Sequence, residues 1–152
     1  MDNDDRTSAI GLFNFAHSYA ASAVQLSKCR PADTTHPEAV VDFLAFHAIE
    51  LYLKAFLRAK GLTVAEVKKL GHRLDKLRDK VCELGLAIED QNGVIVLATH
   101  KMMERRYIRT GWTQQHPNEL VLEVCRNLHE SVGEELQRFG LAKRLPSIGS
   151  PS

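Results

Sequence analysis

The feature of this chain that most restricts its fold is the segment between Pro37 and Gly61, which has almost no polar face. Pro37 followed by Glu38 suits the first turn of a helix, and Gly61 suits its end. A helix that is apolar on most sides must also be covered on most sides. We therefore predict a helix from Pro37 to about Lys60, either at the centre of a bundle or shared between a bundle and a dimer interface. Its apolar residues are Val40, Val41, Phe43, Leu44, Phe46, Ile49, Leu51, Tyr52, Leu53, Phe56 and Leu57.

Helical periodicity recurs on both sides of this segment, with capping residues at the expected places. The pattern predicts an all-α fold, an antiparallel bundle of four to five helices. We assign one domain to residues 8–140, with a flexible N-terminus over 1–7 and a flexible C-terminal tail over 141–152. The further predicted elements are a helix from Thr7 or Ser8 to Cys29, a short turn from Thr63, a helix from Gly71 to Gly85, and a long helix from Pro117 to Gly140.

The segment 86–99 permits two interpretations. Asn92 and Gly93 lie between two short apolar runs, which is typical of a β-hairpin. A helix that starts near Gly93 and continues through Met103 is the alternative. An isolated two-stranded hairpin is marginal in water unless something packs on it, so the pattern favours the helix.

The bulk properties indicate a globular cytoplasmic protein. A length of 152 residues with 44% hydrophobic and 26% charged residues is typical of one folded domain. No apolar run approaches the length of about eighteen residues that a membrane helix requires, and the start at Met1 is acidic where a secretory signal would be basic. We therefore expect no membrane association. The three cysteines, Cys29, Cys82 and Cys125, are predicted to be reduced core residues, and no local signature supports a catalytic cysteine.

The sequence offers no recognisable metal or cofactor motif. Its seven histidines form no known ligand pattern, and a di-iron bundle would need Glu-x-x-His on two helices, whereas His47 precedes Glu50 in the reverse order. A glycine-rich phosphate loop, a nucleophile elbow and a dinucleotide fingerprint are all absent from the sequence. We predict that the chain needs neither metal nor cofactor.

Charge is distributed unevenly along the chain. The segment from Leu51 to Arg109 contains thirteen Lys or Arg against seven Asp or Glu, although the whole chain carries a formal net charge of only +1. A basic half can attract phosphate groups, but charge runs are also commonly solvated helix faces. Both interpretations remain open from the charge alone.

One pair of residues has the composition of a phosphate-chemistry site. Arg109 and His116 are separated by six residues and come just before the predicted last helix. A guanidinium offers a fork of donors to a phosphoryl group, a helix start adds oriented amides, and an imidazole can move the proton of a ribose hydroxyl. Metal-free RNA cleavage needs little more than these functions. The structural alternative is that His116 is only a loop residue before Pro117.

Two blocks of the sequence resemble the HEPN family (higher eukaryotes and prokaryotes nucleotide-binding). The first block runs from Phe46 to Leu57 and contains Glu50-Leu51-Tyr52-Leu53-Lys54-Ala55-Phe56-Leu57, and the second is Gly71-His72-Arg73-Leu74-Asp75-Lys76-Leu77. In helix order the resemblance extends over roughly residues 8–139. It implies a bundle of four or five helices that is commonly dimeric.

In many HEPN members an Arg, followed after four to six residues by His, serves metal-independent endoribonuclease activity, and Arg109 and His116 match this spacing. The resemblance therefore implies a ribonuclease, in some cases a toxin with an antitoxin partner or a defence component. His116 would be the general acid or base, and Arg109 would stabilise the phosphoryl transition state. Residues expected to bind RNA are Lys101, Arg105 and Arg106, through backbone phosphates, and Trp112, through base stacking, although a Trp packed on the bundle is also compatible with the sequence.

Two other functions fit the same residues. In the first, the chain is a non-catalytic dimer that binds a nucleotide or a protein such as a nucleotidyltransferase. Glu50 and Lys54 are then a structural ion pair, because Glu four residues before Lys is the favourable helical order, and His72 satisfies a helix terminus. In the second, a small-molecule enzyme has its pocket inside the bundle near His47 and Glu50.

Overall fold

The computed structural model of the chain describes residues 7–29, 31–88 and 118–148. These ranges form five helices and contain no strand: α1 (Ala9–Lys28), α2 (Pro37–Ala59), α3 (Val64–Leu70), α4 (Leu74–Glu83) and α5 (Asn118–Arg138). The prediction of an all-α class is confirmed for this part of the chain. Residues 86–88 are neither helix nor strand, and the rest of the ambiguous segment 86–99 lies outside the described residues.

Helix α2 is the centre of the bundle, because it contacts each of the other four described helices. This arrangement explains its unusual sequence, since a helix surrounded by neighbours has little need of a polar face. The buried side chains of α2 include Tyr52, Leu53, Phe56 and Leu57. Burial of each such side chain contributes about 1.5–3 kcal/mol of transfer free energy.

The contacts among α1, α2 and α5 define their directions. Phe13 of α1 contacts Tyr52 while Tyr19 contacts His47, so α1 and α2 are antiparallel. On the other side, Cys125 of α5 donates its thiol hydrogen to the carbonyl oxygen of Ala45 at 3.2 Å, and His129 lies against Tyr52. Ala45 contacts Cys125 and the later residue Tyr52 contacts the later residue His129, so residue numbers increase in the same direction along α2 and α5 and the two helices are parallel.

Alanine dominates the face that α1 turns toward the bundle. Ala16, Ala20 and Ala23 are all fully buried, at spacings of three or four residues. Small side chains of this kind let helix backbones approach closely, and Ala48 on α2 is also fully buried. A larger residue at any of these positions would have to displace a neighbouring helix.

The helix ends follow from local sequence. The hydroxyl oxygen of Ser8 accepts a hydrogen bond from the amide of Gly11 at 3.0 Å and caps α1. Helices α2, α4 and α5 each end at a glycine with a positive φ angle, a conformation that other residues adopt only with strain. At the end of α2, for example, the amides of Gly61 and Leu62 donate to the carbonyls of Arg58 and Leu57, which is the Schellman arrangement.

The structure corrects one prediction about the cysteines. Cys125 is buried as predicted, but Cys29 and Cys82 are exposed, so the assignment of all three to the core was wrong. Cys29 is the residue that caps the end of α1, where the chain leaves the bundle. Cys82 lies on α4 next to Val81, whose side chain points into the core, and a helix turns the next residue by about 100° toward solvent.

Part of the predicted tail contacts the bundle. Residues 141–148 form no helix, but Leu145 and Ile148 pack against the core and the carbonyl oxygen of Pro146 lies 2.8 Å from Nε2 of His129. Among the described helices, none combines the length and the apolar character that crossing a membrane requires.

Candidate functional site

A buried carboxylate with basic neighbours is a chemically distinctive group of the described chain. Glu50 lies in the middle of α2 and only 2% of its side chain is exposed. Removing a carboxylate from water is costly unless charges or hydrogen-bond donors replace the lost solvent. The positions of its neighbours therefore determine whether Glu50 is tolerated in this core.

Three basic side chains surround this carboxylate. Nδ1 of His72 is 2.8 Å from Oε1 of Glu50, which is hydrogen-bond distance. Nζ of Lys54 is 3.5 Å from Oε2, and Nδ1 of His47 is 4.0 Å from the same oxygen. Lys54 is four residues after Glu50 and His47 is three residues before it, so α2 alone places both of them beside the carboxylate.

His72 reaches Glu50 from the connection between α3 and α4. A reciprocal capping box fixes the start of α3, because the hydroxyl of Thr63 accepts from the amide of Glu66 while the Glu66 carboxylate accepts from the amide of Thr63. At the end of α3, Gly71 has a φ angle of 63°, which reverses the chain before α4. These two local features bring His72 over the middle of α2.

The arrangement presents an oriented imidazole to solvent. An ionised carboxylate can only accept, so Nδ1 of His72 donates its hydrogen to Glu50 and Nε2 becomes the acceptor nitrogen of a neutral ring. The His72 side chain is 63% exposed while its partner is buried. A carboxylate that orients a histidine in this way is the arrangement found behind general bases. The same contact also ties the α3–α4 connection to α2.

The surroundings of His47 are aromatic. The ring of Tyr19 lies 4.4 Å away in an edge-on orientation, and the ring of Phe43 is stacked at 6.3 Å. His47 therefore lies between Glu50 and an aromatic edge of α1 and α2. Although two histidines and a glutamate are close together here, the described ranges contain no group of three or more His, Cys, Asp or Glu with the arrangement of a metal site.

The predicted site residues divide into two groups. Glu50 and Lys54, predicted as a structural ion pair, lie within 3.5 Å of each other. The other predicted residues all lie outside the described ranges: Arg109 and His116 of the catalytic pair, and Lys101, Arg105, Arg106 and Trp112 of the RNA-binding set.

Sequence reasoning missed the contact between Glu50 and His72. His72 was interpreted as a residue that satisfies a helix terminus, whereas its imidazole donates to a side chain 22 positions away. A signal for this contact was present in the sequence, because both residues belong to the two blocks that resemble the HEPN family. A second missed cluster joins Tyr52, His129 and Pro146. Comparison of the chain with models of protein families, with curated proteins and with solved structures finds no match.

Proposed function

We propose that the chain is a HEPN-like, metal-independent endoribonuclease that acts as a homodimer. One observation supports this proposal above the others: the two sequence blocks that carry the family resemblance meet in space. Glu50 of the first block accepts a hydrogen bond from His72 of the second at 2.8 Å, and Lys54 lies 3.5 Å from the same carboxylate. Glu50 and Lys54 of the first block and His72 of the second thus form one polar cluster beside the central helix.

In the proposed mechanism the polar cluster has a structural role, and the chemistry belongs to Arg109 and His116. His116 removes the proton of the ribose 2′-hydroxyl, and the 2′-oxygen bonds to the adjacent phosphorus while the P–O5′ bond breaks. The protonated His116 then returns this proton to the departing 5′-oxygen. Arg109 stabilises the additional negative charge on the phosphoryl oxygens. The products are a 2′,3′-cyclic phosphate and a free 5′-hydroxyl, and no external oxidant, metal or water enters this step.

The biological role proposed with this activity is that of a toxin or a defence component. A toxin of this kind is paired with an antitoxin protein. Lys101, Arg105 and Arg106 would bind the RNA backbone, and Trp112 would stack on a base. Several phosphate contacts of this kind give an affinity that decreases steeply with salt.

The activity is tested with the purified full chain and a labelled RNA in excess chelator. We expect cleavage products with cyclic-phosphate ends, and we expect His116→Ala and Arg109→Ala each to abolish them without changing the unfolding temperature appreciably. His36→Ala is the matched control, because His36 is an exposed histidine in the α1–α2 connection whose ring lies 2.7 Å from the hydroxyl of its neighbour Thr35. Intact RNA with the wild-type protein, or equal cleavage by His116→Ala, would refute the proposal.

A non-catalytic dimer that binds a nucleotide or a protein such as a nucleotidyltransferase is the second candidate. The contacts of Lys54 and His72 with the buried carboxylate of Glu50 favour it. Polar residues that are explained by their contacts with one another do not require a substrate to account for them. Light scattering tests the feature common to both candidates, a particle of about twice the chain mass of 17.1 kDa. A dimer that leaves RNA intact supports this second candidate over the first.

A further inference from the structure

A groove with an excess of positive charge lies where α2 ends and α3 and α4 pack beside it. Its volume is about 460 Å³, within the range of sites that hold small ligands. The charged residues of this lysine groove are Lys60, Lys69, Lys80 and Glu66, and its apolar residues include Leu62 and Leu70.

Among the described lining residues the one carboxylate, that of Glu66, is hydrogen-bonded within its own helix. The amide of Thr63 donates to Oε2 of Glu66 at 2.7 Å as part of the capping box that begins α3. The pKa of Glu66 is lowered, mainly by hydrogen bonds from the backbone and hydroxyl of Thr63 and to a smaller extent by the charges of Lys69 and Lys80. Glu66 is therefore ionised at neutral pH. Among the described lining residues three ammonium groups stand against this one carboxylate, and Glu83 pairs with Lys80 from outside the lining.

Aromatic rings hold the first of these lysines in position. Nζ of Lys60 lies 5.5 Å from the ring centre of Phe56 and 5.1 Å from that of Phe139. A cation–π contact restrains the ammonium group without neutralising its charge. The backbone nearby is also fixed, because Arg58 donates to the carbonyl oxygen of Leu62 at 2.6 Å and to that of Thr7 at 2.8 Å. Lys60 therefore loses little conformational freedom when an anion binds.

The third lysine, Lys80, forms an exposed ion pair. Nζ of Lys80 is 3.4 Å from Oε1 of Glu83, and the Glu83 side chain is 65% exposed. Exposed pairs of this kind contribute little free energy. An anion with several charges can therefore replace Glu83 as the partner of Lys80 at small cost.

We propose that the lysine groove binds a polyphosphate anion, the group shared by nucleoside triphosphates and inorganic tripolyphosphate. Lysine binds phosphate as a point charge, and a ligand with several negative charges matches three ammonium groups better than a single carboxylate does. Leu62 and Leu70 give the groove an apolar wall on which a base can lie. None of the three lysines on which this proposal rests belongs to the proposed catalytic pair of Arg109 and His116, so the proposal does not depend on the ribonuclease activity.

Calorimetric titration of the full chain in chelator and low salt tests the proposal, with inorganic tripolyphosphate and ATP as the two probes. We expect saturable binding of tripolyphosphate at one site per chain, weakened by added salt. Lys69→Ala and Lys80→Ala should each reduce the affinity about fivefold, the effect of one unit charge at about 4 Å in water. Lys68→Ala is the matched control, because it removes the same charge from an exposed position of α3 outside the groove.

The two probes also show whether the natural ligand is an inorganic polyphosphate or a nucleoside triphosphate. Equal affinities mean that the groove recognises the phosphates alone, and tighter binding of ATP means that the apolar wall contacts the base. Circular dichroism confirms that each variant is folded before titration. The proposal is overturned if neither probe saturates, or if Lys68→Ala weakens binding as much as Lys69→Ala does. Ribonuclease activity can be present or absent in either case.

Discussion

The hydroxyl of Tyr52 lies 2.8 Å from Nδ1 of His129, in the buried interface between α2 and α5. The other ring nitrogen of His129, Nε2, is 2.8 Å from the carbonyl oxygen of Pro146. A carbonyl can only accept, so Nε2 carries the hydrogen and Nδ1 of the neutral ring is the acceptor. The Tyr52 hydroxyl therefore donates to His129, and the central helix is linked through this ring to the C-terminal segment.

Tyr52→Phe should destabilise the protein more than removal of a typical hydroxyl. The variant leaves Nδ1 of His129 in the core without a donor, and an unsatisfied buried acceptor costs about 1–3 kcal/mol. Denaturant unfolding at pH 7.5 measures the difference. Tyr19→Phe is the control, since the Tyr19 ring is half-buried and contacts His47 edge-on at 4.4 Å. Equal losses for the two variants would contradict the assigned hydrogen bond.

The contribution of His129 and His17 to stability should decrease as the pH falls below about 6.5, the pKa of an unperturbed histidine. Burial lowers the pKa of His129, and burial followed by the nearby His129 lowers that of His17. A histidine whose pKa is lower in the folded state binds its proton more readily when unfolded, so acid favours unfolding. His129→Gln should be less stable at pH 7.5 but should lose less stability than the wild type between pH 7 and pH 5. A steeper loss in the variant would show the opposite sign.

Asp42 has the opposite dependence on pH. Its side chain is 1% exposed, and within the described ranges neither carboxylate oxygen has a hydrogen-bond partner. Burial, followed by the negative charge of Glu38, raises the pKa of Asp42 to about 7. The folded state therefore holds a proton that the unfolded chain releases near pH 4, and the resulting stability is lost as the pH rises through about 7.

Asp42→Asn removes this titration. The variant should be more stable than the wild type at pH 8 by about 1–2 kcal/mol, part of the free energy that a pKa shift of this size represents. The difference should shrink as the pH falls and should disappear below about pH 4, where Asp42 is protonated in the folded and in the unfolded chain alike. Thermal unfolding at the two pH values measures it. Glu38→Gln should give a smaller gain at pH 8, because it removes only the secondary cause of the shift.

Much of the fold could be predicted from the sequence because the helix signals are local. The apolar run after Pro37 indicated that α2 lies at the centre, and Thr63 and Gly61 marked ends that the structure shows within a residue of their predicted places. Contacts between distant positions could not be predicted in this way. Tyr52 and His129 are 77 residues apart, and no periodicity within either helix indicates that the two side chains meet.

In the polar cluster, too, the local contact could be predicted from the sequence and the contact between distant positions could not. The spacing of Glu50 and Lys54 predicted an ion pair because four residues make one helical turn. His72 could not be placed, since its position depends on the capping box at Thr63 and the chain reversal at Gly71, which act together only in the folded chain. The exposed Cys82 illustrates a further difficulty. Apolar residues at helical spacing identify the face of a helix that is buried, but they do not determine whether a small residue at the edge of that face points to the core or to solvent.

Lys54→Met should destabilise the protein by about 3 kcal/mol, the lower end of the cost of breaking a buried ion pair. Methionine retains the length of the apolar stem, but Glu50 loses the ammonium group 3.5 Å away and keeps only its histidine neighbours. Glu50→Gln combined with Lys54→Met should recover part of this loss, because the double variant buries no uncompensated carboxylate. A double-mutant cycle in urea measures the coupling free energy. Additive losses would mean that the two side chains do not interact.

Gly133→Ala should release the C-terminal segment while leaving the bundle folded. A Cβ atom at Gly133 would lie 2.5 Å from Cδ1 of Leu145 and 3.4 Å from Cζ of Phe13, so the Leu145 side chain must move. Alanine in a helix interior gains about 1 kcal/mol over glycine, which offsets part of the lost packing. Pro146 follows Leu145 directly, so displacement of Leu145 also weakens the hydrogen bond from His129 to the carbonyl oxygen of Pro146.

The expected result is an almost unchanged unfolding midpoint together with faster trypsin cleavage after Lys143 and Arg144, both of which are exposed. Adding Leu145→Ala to Gly133→Ala removes the overlap and should slow the cleavage again, because the bond from His129 to Pro146 can re-form; unchanged cleavage in Gly133→Ala would mean that Leu145 does not hold the segment in place.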